Sequence, residues 1–291
     1  MRIEEERQTP LTILQAEHMK GIPWLVHGFS ARVGGFSSAY GQALNLGFTK
    51  NDSRAAVERN RSVFLRRLGA FDQGQPWPLI TLRQIHSDVI HQVTSASDRH
   101  LVGDGLITST PGLLLAVQTA DCLPIVLLDP KRRAAGVFHA GWRGTLQRII
   151  EKGVGAMRLR FGSHPHELKA AIGPGIHQCC YEVGLEVKEK FDSQFDYAAE
   201  LFRAVNESDP VGKKYPLLFL SARPPGHGEL PAKLFLNLVE ANRRQMVAAG
   251  IRDANIEALP LCTSCRVDVL FSYRAEKGNT GRMMGVVGIR G

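Results

Sequence analysis

The sequence lacks long apolar runs, since no stretch approaches the roughly 20 consecutive apolar residues that a membrane-spanning helix needs. Nothing in it argues for a membrane partner. Cysteine is scarce too. Five cysteines, at 122, 179, 180, 262 and 265, are an odd number in a chain of 291 residues. That argues against a disulfide framework and for thiols that are free or bind metal in a reducing compartment. The N-terminal MRIEEERQTP is acidic and has no apolar core of the kind a secretory signal carries. The expectation is a cytoplasmic protein. Repeats, low-complexity tracts and long linkers are missing, as are basic tails and finger motifs. The net charge of +8 is dispersed over short groups such as Arg66-Arg67, Lys131-Arg132-Arg133 and Arg243-Arg244. Such a surface attracts anionic small molecules, phosphate among them, and gives no reason to expect a nucleic-acid partner.

What is present is ordinary globular material, with 44% apolar and 22% charged residues. Ser53 to Leu68 reads as a helix, with Ser53 as its N-cap and Gly69 as its stop. The following FDQGQPWP reads as a loop. Four short apolar runs occupy 105–108, 113–119, 123–129 and 134–140, each bounded by Gly, Pro or Asp, and read as strands buried on both faces. Asp129-Pro130-Lys131 marks a hairpin turn between the last two. Further along the chain, helices are expected at 145–161, 182–195 and 235–249. Strands are expected at 169–173, 270–273 and 285–289, and 205–230 is an irregular excursion. Strands and helices interleave without regular βαβ alternation. The expected fold class is therefore α/β (α+β), a single-domain sandwich of mixed β-sheets flanked by helices. A short extension is expected at 1–20, with the catalytic domain over 21–291.

Three polar residues stand in unusual places. His86 lies in the alternating segment LRQIHSDVI, Cys122 sits between two apolar strands, and His139 ends the run AAGVF. Imidazole and thiolate donors suit zinc, and three protein ligands leave a fourth position for water or substrate. Spacings of 36 and 17 residues match no local metal motif, so a satisfied core histidine and a small buried cysteine are the competing readings. Cys262-Thr-Ser-Cys265 with Cys179-Cys180 offers a second, four-cysteine constellation. Glycine-rich loops at 32–35, 141–144 and 173–175 present backbone N–H groups, and Arg32 and Arg143 lie in two of them. Each is either an anion cradle or ordinary turn chemistry. Asp121 adjoins Cys122, but neighbouring strand residues face opposite ways, so it is assigned no proton-transfer role.

Six segments, HGFSARVGGFSSAYGQALNLG (27–47), RQIHSDVI (83–90), GDGLITSTPGLLLAVQTADCLPIVLLDP (103–130), VFHAGWRGT (137–145), AAIGPGIHQCCYEVG (170–184) and CTSCRVDVLFSYRAEKGNTGRMMGVVGIR (262–290), resemble the YfiH family. It is also called the laccase-domain or polyphenol oxidase family, and its members are largely regarded as purine nucleoside phosphorylases. The resemblance spans nearly the whole chain, and QTADCLP with HAGWRGT is its most specific part. It implies that His86, Cys122 and His139 bind zinc, with copper able to displace it in vitro. It further implies that Asn45, Arg32 and Arg143 line the pocket, Cys122, Arg143 and Asn45 serving catalysis and the two arginines holding the phosphate. Gly175 departs from a pattern in which many relatives carry another cysteine. The activities implied are phosphorolysis of adenosine, inosine, guanosine and methylthioadenosine, and deamination of adenosine. The partners implied are purine nucleosides and inorganic phosphate, in a monomer or small homo-oligomer. Four alternatives remain: a copper-dependent polyphenol oxidase, a cysteine hydrolase with Cys122 as nucleophile and His139 as base, a peptidoglycan-editing factor, and a non-enzymatic purine sensor. The copper oxidase is hard to reconcile with a chain whose one H-x-H is His164-Pro-His166.

Overall fold

A computed structural model describes residues 11–98, 100–206 and 232–291. Its strands are β1 (Ile13–Leu14), β2 (Leu25–Ser30), β3 (Phe71–Asp72), β4 (Gln75–Pro76), β5 (Leu79–Ile80), β6 (Ile90–Gln92), β7 (Gly105–Thr108), β8 (Leu114–Thr119), β9 (Leu123–Asp129), β10 (Ala134–Ala140), β11 (Lys169–Ile172), β12 (Glu182–Val183), β13 (Phe202–Val205), β14 (Lys233–Leu236), β15 (Ile256–Ala258) and β16 (Met283–Ile289). The helices are α1 (Arg54–Leu68), α2 (Trp142–Leu146), α3 (Ile149–Phe161), α4 (Leu185–Asp192), α5 (Ala198–Leu201) and α6 (Leu238–Ala248).

Two compact units are distinguished within the chain. One comprises the residues up to His177 with Leu238–Gly291, the other Gln178–Asn237. The larger unit is the mixed-sheet sandwich. Its first sheet has the order β1-β2-β16-β8-β5 and its second β15-β11-β9-β10-β7-β6. Pairing is antiparallel except at β5–β8, β6–β7 and β11–β15. One apolar core joins Phe29, Leu115, Val117 and Val287 of the first sheet to Val126, Leu128, Val137 and Ala171 of the second. Helix α1 covers the outer face of the first sheet through Phe64 and Leu65, which cluster with Val26, Leu114 and Val286. Helix α3 lies against β10 and β7. Every residue of β9 and β10 is consequently buried, which is why these runs are continuously apolar rather than alternating.

The four central strands fall within a residue of the sequence reading. The hairpin turn follows from Asp129, whose Oδ1 accepts from the N–H groups of Lys131 and Arg132 at 2.9 Å each. The Ser53 hydroxyl accepts from Ala56 N–H at 3.1 Å and so caps α1, a contact worth about 1 kcal/mol.

Elsewhere the structure corrects the reading. FDQGQPWP contains the small hairpin β3–β4. The helix expected at 145–161 is two helices, broken at Arg148, whose φ is +62°. Phe235 belongs to β14, and the last long helix starts at Leu238. Residues 270–273 form no strand. Within the extension expected at 1–20, Ile13 and Leu14 form β1 against β2, and Ala16 and Met19 are buried. Most of the 205–230 excursion lies outside the described residues.

The smaller unit pairs its strands in the order β12-β14-β13, all antiparallel. Buried Phe191 of α4 forms its centre, with ring centroids 5.5 Å from Phe195 and 5.8 Å from Phe202.

Candidate metal centre

Cys122 sits on the short connection where the chain passes from β8 in one sheet to β9 in the other. His139 is the penultimate residue of β10, opposite Pro124, and is 4% exposed. His86 lies on the segment between β5 and β6, with φ at +58°. The alternating pattern around it suggested a strand, whereas the backbone here turns through the left-handed region. One ligand atom from each of the three residues lies within 4.8 Å of the other two. The two imidazole rings meet edge to face with centroids 4.9 Å apart. A thiolate and two imidazoles at this separation fit a tetrahedral ion such as zinc, with one position left over.

The surroundings hold this arrangement open and aimed. A Cβ on Gly141 would come within 2.8 Å of Cys122 Sγ and 3.2 Å of His86 Cδ2. Glycine at 141 therefore leaves the space between the donors clear. Asp104, which the sequence reading missed, is fully buried behind the cluster, and its Oδ1 lies 2.8 Å from His139 Nδ1. The same carboxylate accepts from the backbone N–H groups of Ile85, His86 and Ser87 at 3.2, 3.1 and 2.6 Å and from Ser87 Oγ at 2.7 Å. A second buried carboxylate, Asp121, has φ at +95°. It accepts from Thr263 Oγ1, Ser272 Oγ and Arg274 N–H at 2.6 to 2.7 Å. It thereby fixes the turn that carries Cys122 while pointing away from it. Gln84 pairs its side-chain amide with both backbone groups of Gln118 at 2.8 Å, tying the His86 segment to β8. An ion pair between Lys152 and Asp88 anchors its other end to α3. The one signal that marked Asp104 in advance is an acidic residue between two glycines at the start of a fully apolar strand.

These neighbours also set the charge. Burial alone would raise the Cys122 thiol, but the adjacent His139 charge and hydrogen bonds from both histidines outweigh it and bring the thiol well below its ordinary value. Burial likewise pulls His139 down, and Cys122 and Asp104 more than reverse it. Burial would raise Asp104, yet the contacts from His139 and Ser87 hold it down at about 2. Thiolate is the form that binds metal.

The other singled-out residues are placed differently. Arg143 follows Gly141 by two positions, is exposed, and its guanidinium lies 4.4 Å from the Trp142 ring centroid. Arg32 donates to Val267 O at 2.8 Å and Glu276 Oε1 at 3.0 Å and covers the Phe271 ring. Its charge is already compensated. Asn45 is fully buried. Its amide donates to Gly47 O and Asp52 Oδ2, and its carbonyl accepts from Gly47 N–H and Arg282 N–H. It holds the 45–52 loop together. Gly175 is pressed against its neighbours, where a Cβ would be 2.4 Å from Leu123 Cδ2 and 2.9 Å from Asp121 O. Of the second cysteine constellation, Cys262 and Cys265 belong to the larger unit and Cys179 and Cys180 to the smaller.

The family model described as multi-copper polyphenol oxidoreductase laccase matches residues 26–290. The chain belongs to this family. Among similar proteins, a purine nucleoside phosphorylase of Deinococcus radiodurans is 34% identical over 265 residues, covering 90% of this chain and 88% of the relative. An adenosine deaminase, RL5, of an unknown prokaryotic organism is 38% identical over 179 residues, 62% of this chain and 59% of the relative. The crystal structure of the hypothetical protein YfiH from Bacillus licheniformis superimposes with a TM-score of 0.76 at 32% identity, over 91% of this chain and 93% of that one. The family description speaks of several coppers, while the relatives are named for purine chemistry. The three donors converge on a single point, enough for one ion. His164 and His166, the one H-x-H pair, stack on each other with centroids 5.7 Å apart. No helix among the described residues is long and apolar enough to cross a membrane.

Proposed function

We propose that the chain is a zinc-dependent purine nucleoside phosphorylase, acting on adenosine, inosine, guanosine and methylthioadenosine, that also deaminates adenosine. The observation that carries this reading is the convergence of His86, Cys122 and His139 beside Gly141, with the exposed cation of Arg143 two residues on. Relatives named for both reactions support it. A bound zinc would supply Lewis-acid activation of substrate or water at the open position.

The chain's own residues account for the rest. In phosphorolysis the C1′–N9 bond of the nucleoside breaks as a phosphate oxygen bonds to C1′ and the phosphate's proton passes to the departing purine, giving the free base and the sugar 1-phosphate. Arg143 offers a planar, permanently charged fork that positions the phosphate and screens it from the departing base. Arg32, held by Glu276 and Val267, is the second cation assigned to the phosphate in this reading. Adenosine deamination consumes water and releases ammonia, and needs no phosphate. The Arg143→Ala variant should therefore slow phosphorolysis by about two orders of magnitude, the size typical for losing one such charged contact, while deamination falls far less. Chromatography of products from adenosine with and without phosphate measures both. Unchanged phosphate dependence in the variant sinks the assignment.

One observation favours a second reading. Cys122, His139 and Asp104 form a thiol–imidazole–carboxylate line of the kind that activates a cysteine nucleophile without metal. Turnover that survives chelation and is abolished by iodoacetamide identifies the hydrolase. Turnover lost on chelation and restored by zinc identifies the metalloenzyme.

A further inference from the structure

We infer that Asp104 is the positioning residue that makes His86 and His139 a pair, so that neither histidine reaches the metal correctly without it. This rests on the reading of the three-donor cluster as a metal site. His139 comes from a central strand and His86 from a loop, 53 positions apart in the chain. Nothing local relates them. The carboxylate of Asp104 touches both, and its two oxygens divide five contacts between them. Oδ1 meets His139 Nδ1 at 2.8 Å and His86 N–H at 3.1 Å. Oδ2 gathers the N–H groups of Ile85 and Ser87 and the Ser87 hydroxyl, at 3.2, 2.6 and 2.7 Å. The main chain adds a further tie, since His139 N–H donates to Asp104 O at 2.7 Å.

Two consequences follow. Both oxygens already accept from backbone N–H groups, so Oδ1 is placed to accept from His139 as well. The imidazole of His139 must then carry its proton on Nδ1, leaving the Nε2 lone pair for the metal. Three successive N–H groups converging on one anion also hold the backbone turn at His86, whose φ of +58° is unfavourable for a side-chain-bearing residue. Asp104 thus fixes the tautomer of one ligand and the backbone of the other.

Asn at this position shows why the oxygens cannot be separated. Its NH2 must replace one of them. Placed at Oδ1, it accepts nothing from His139, and the imidazole moves its proton to Nε2, facing the metal. Placed at Oδ2, it opposes the N–H groups of Ile85 and Ser87, and the His86 turn loosens. Either orientation disturbs at least one histidine, since Oδ1 also accepts from His86 N–H, and leaves Cys122 untouched.

The test compares the full chain with Asp104→Asn and Ser87→Ala. Zinc affinity is measured by chelator competition and ligand geometry by the spectrum of the cobalt-loaded protein, well below the melting temperature. Asp104→Asn should bind zinc about ten- to a hundredfold more weakly, the usual loss for a residue behind a ligand. It should keep the thiolate-to-cobalt charge-transfer band while the cobalt d–d bands change. Ser87→Ala, which spares Oδ1, should stay within about threefold of the parent, below the range expected for a lost orienting partner. Unchanged zinc affinity and cobalt spectrum in a folded Asp104→Asn protein overturn the inference, whatever its melting temperature. A parent chain that takes up no zinc overturns the metal reading itself, and the inference with it. Should Asp104→Asn fail to fold, nitrogen NMR of the zinc-loaded parent decides. A proton on His139 Nδ1 supports the inference, and one on Nε2 refutes it.

Discussion

Gly141 adopts φ −82° and ψ 176°, a conformation open to any residue, so its requirement for glycine is spatial rather than torsional. A methyl group there meets Cys122 Sγ and His86 Cδ2 together. Gly141→Ala should leave the far-ultraviolet dichroism and the core intact yet displace one donor by several tenths of an ångström. Activity should fall by one to two orders of magnitude, as expected when reacting groups shift by up to an ångström. A steady-state assay with circular dichroism on the same sample checks it, and full activity would show that the space beside Gly141 is not used. Asp121 illustrates the opposite kind of residue. It adjoins Cys122 in sequence, but its carboxylate serves Thr263, Ser272 and Arg274. Adjacency to a reactive residue did not predict a part in the chemistry, because the turn at φ +95° directs the two side chains apart.

Strand β10 and helix α3 show what positions the centre from behind. Phe138 is fully buried next to His139, and a Cβ on Gly153 of α3 would lie 2.6 Å from its ring. The helix can rest on the strand only because that position is bare. Gly153→Ala should gain helix propensity, about 1 kcal/mol in an exposed helix. It should lose more through overpacking against Phe138, for which the usual cost is about 1–3 kcal/mol. Net destabilisation in urea titration is the expected result, and a more stable variant would refute the packing argument. Helix α1 was legible from its cap and its glycine stop because both signals are local. The break at Arg148 was not, since the apolar residues on either side keep a helical spacing and only the turn at φ +62° interrupts them. Strand β2 was missed for a related reason. LVHGFS shows neither alternation nor a continuous apolar run, yet it is buried along its whole length between β1 and β16.

His27 of β2 ties the behaviour of the whole larger unit to pH. Burial pulls its pKa from 6.5 down to about 4, opposed in part by a hydrogen bond with the Ala16 backbone. The folded chain therefore keeps His27 neutral where the unfolded chain has already bound a proton. Above about pH 6.5 neither state is protonated and His27 contributes no slope. As pH falls from about 6.5 to 4, protons bind the unfolded state preferentially and stability drops, by about 3 kcal/mol in total from this residue. His27→Gln should flatten that part of the pH–stability curve relative to the parent, measured by urea titration. A parallel pair of curves would exclude His27 as a source of the slope.

The sequence by itself determined what depends on short-range chemistry and on burial. The central strands, the capped helix and the mixed-sheet class were readable from residues in order, and the family resemblance singled out the three candidate donors. Only the tertiary structure decided how those donors relate. His86, Cys122 and His139 reach one another because two sheets exchange a strand connection at Cys122, and because Asp104 draws a loop and a strand onto one carboxylate. It also decided that Asn45 and Arg32 are bound into the walls, since hydrogen-bond partners some 220 to 250 positions distant, such as Glu276 and Arg282, leave no trace in local spacing.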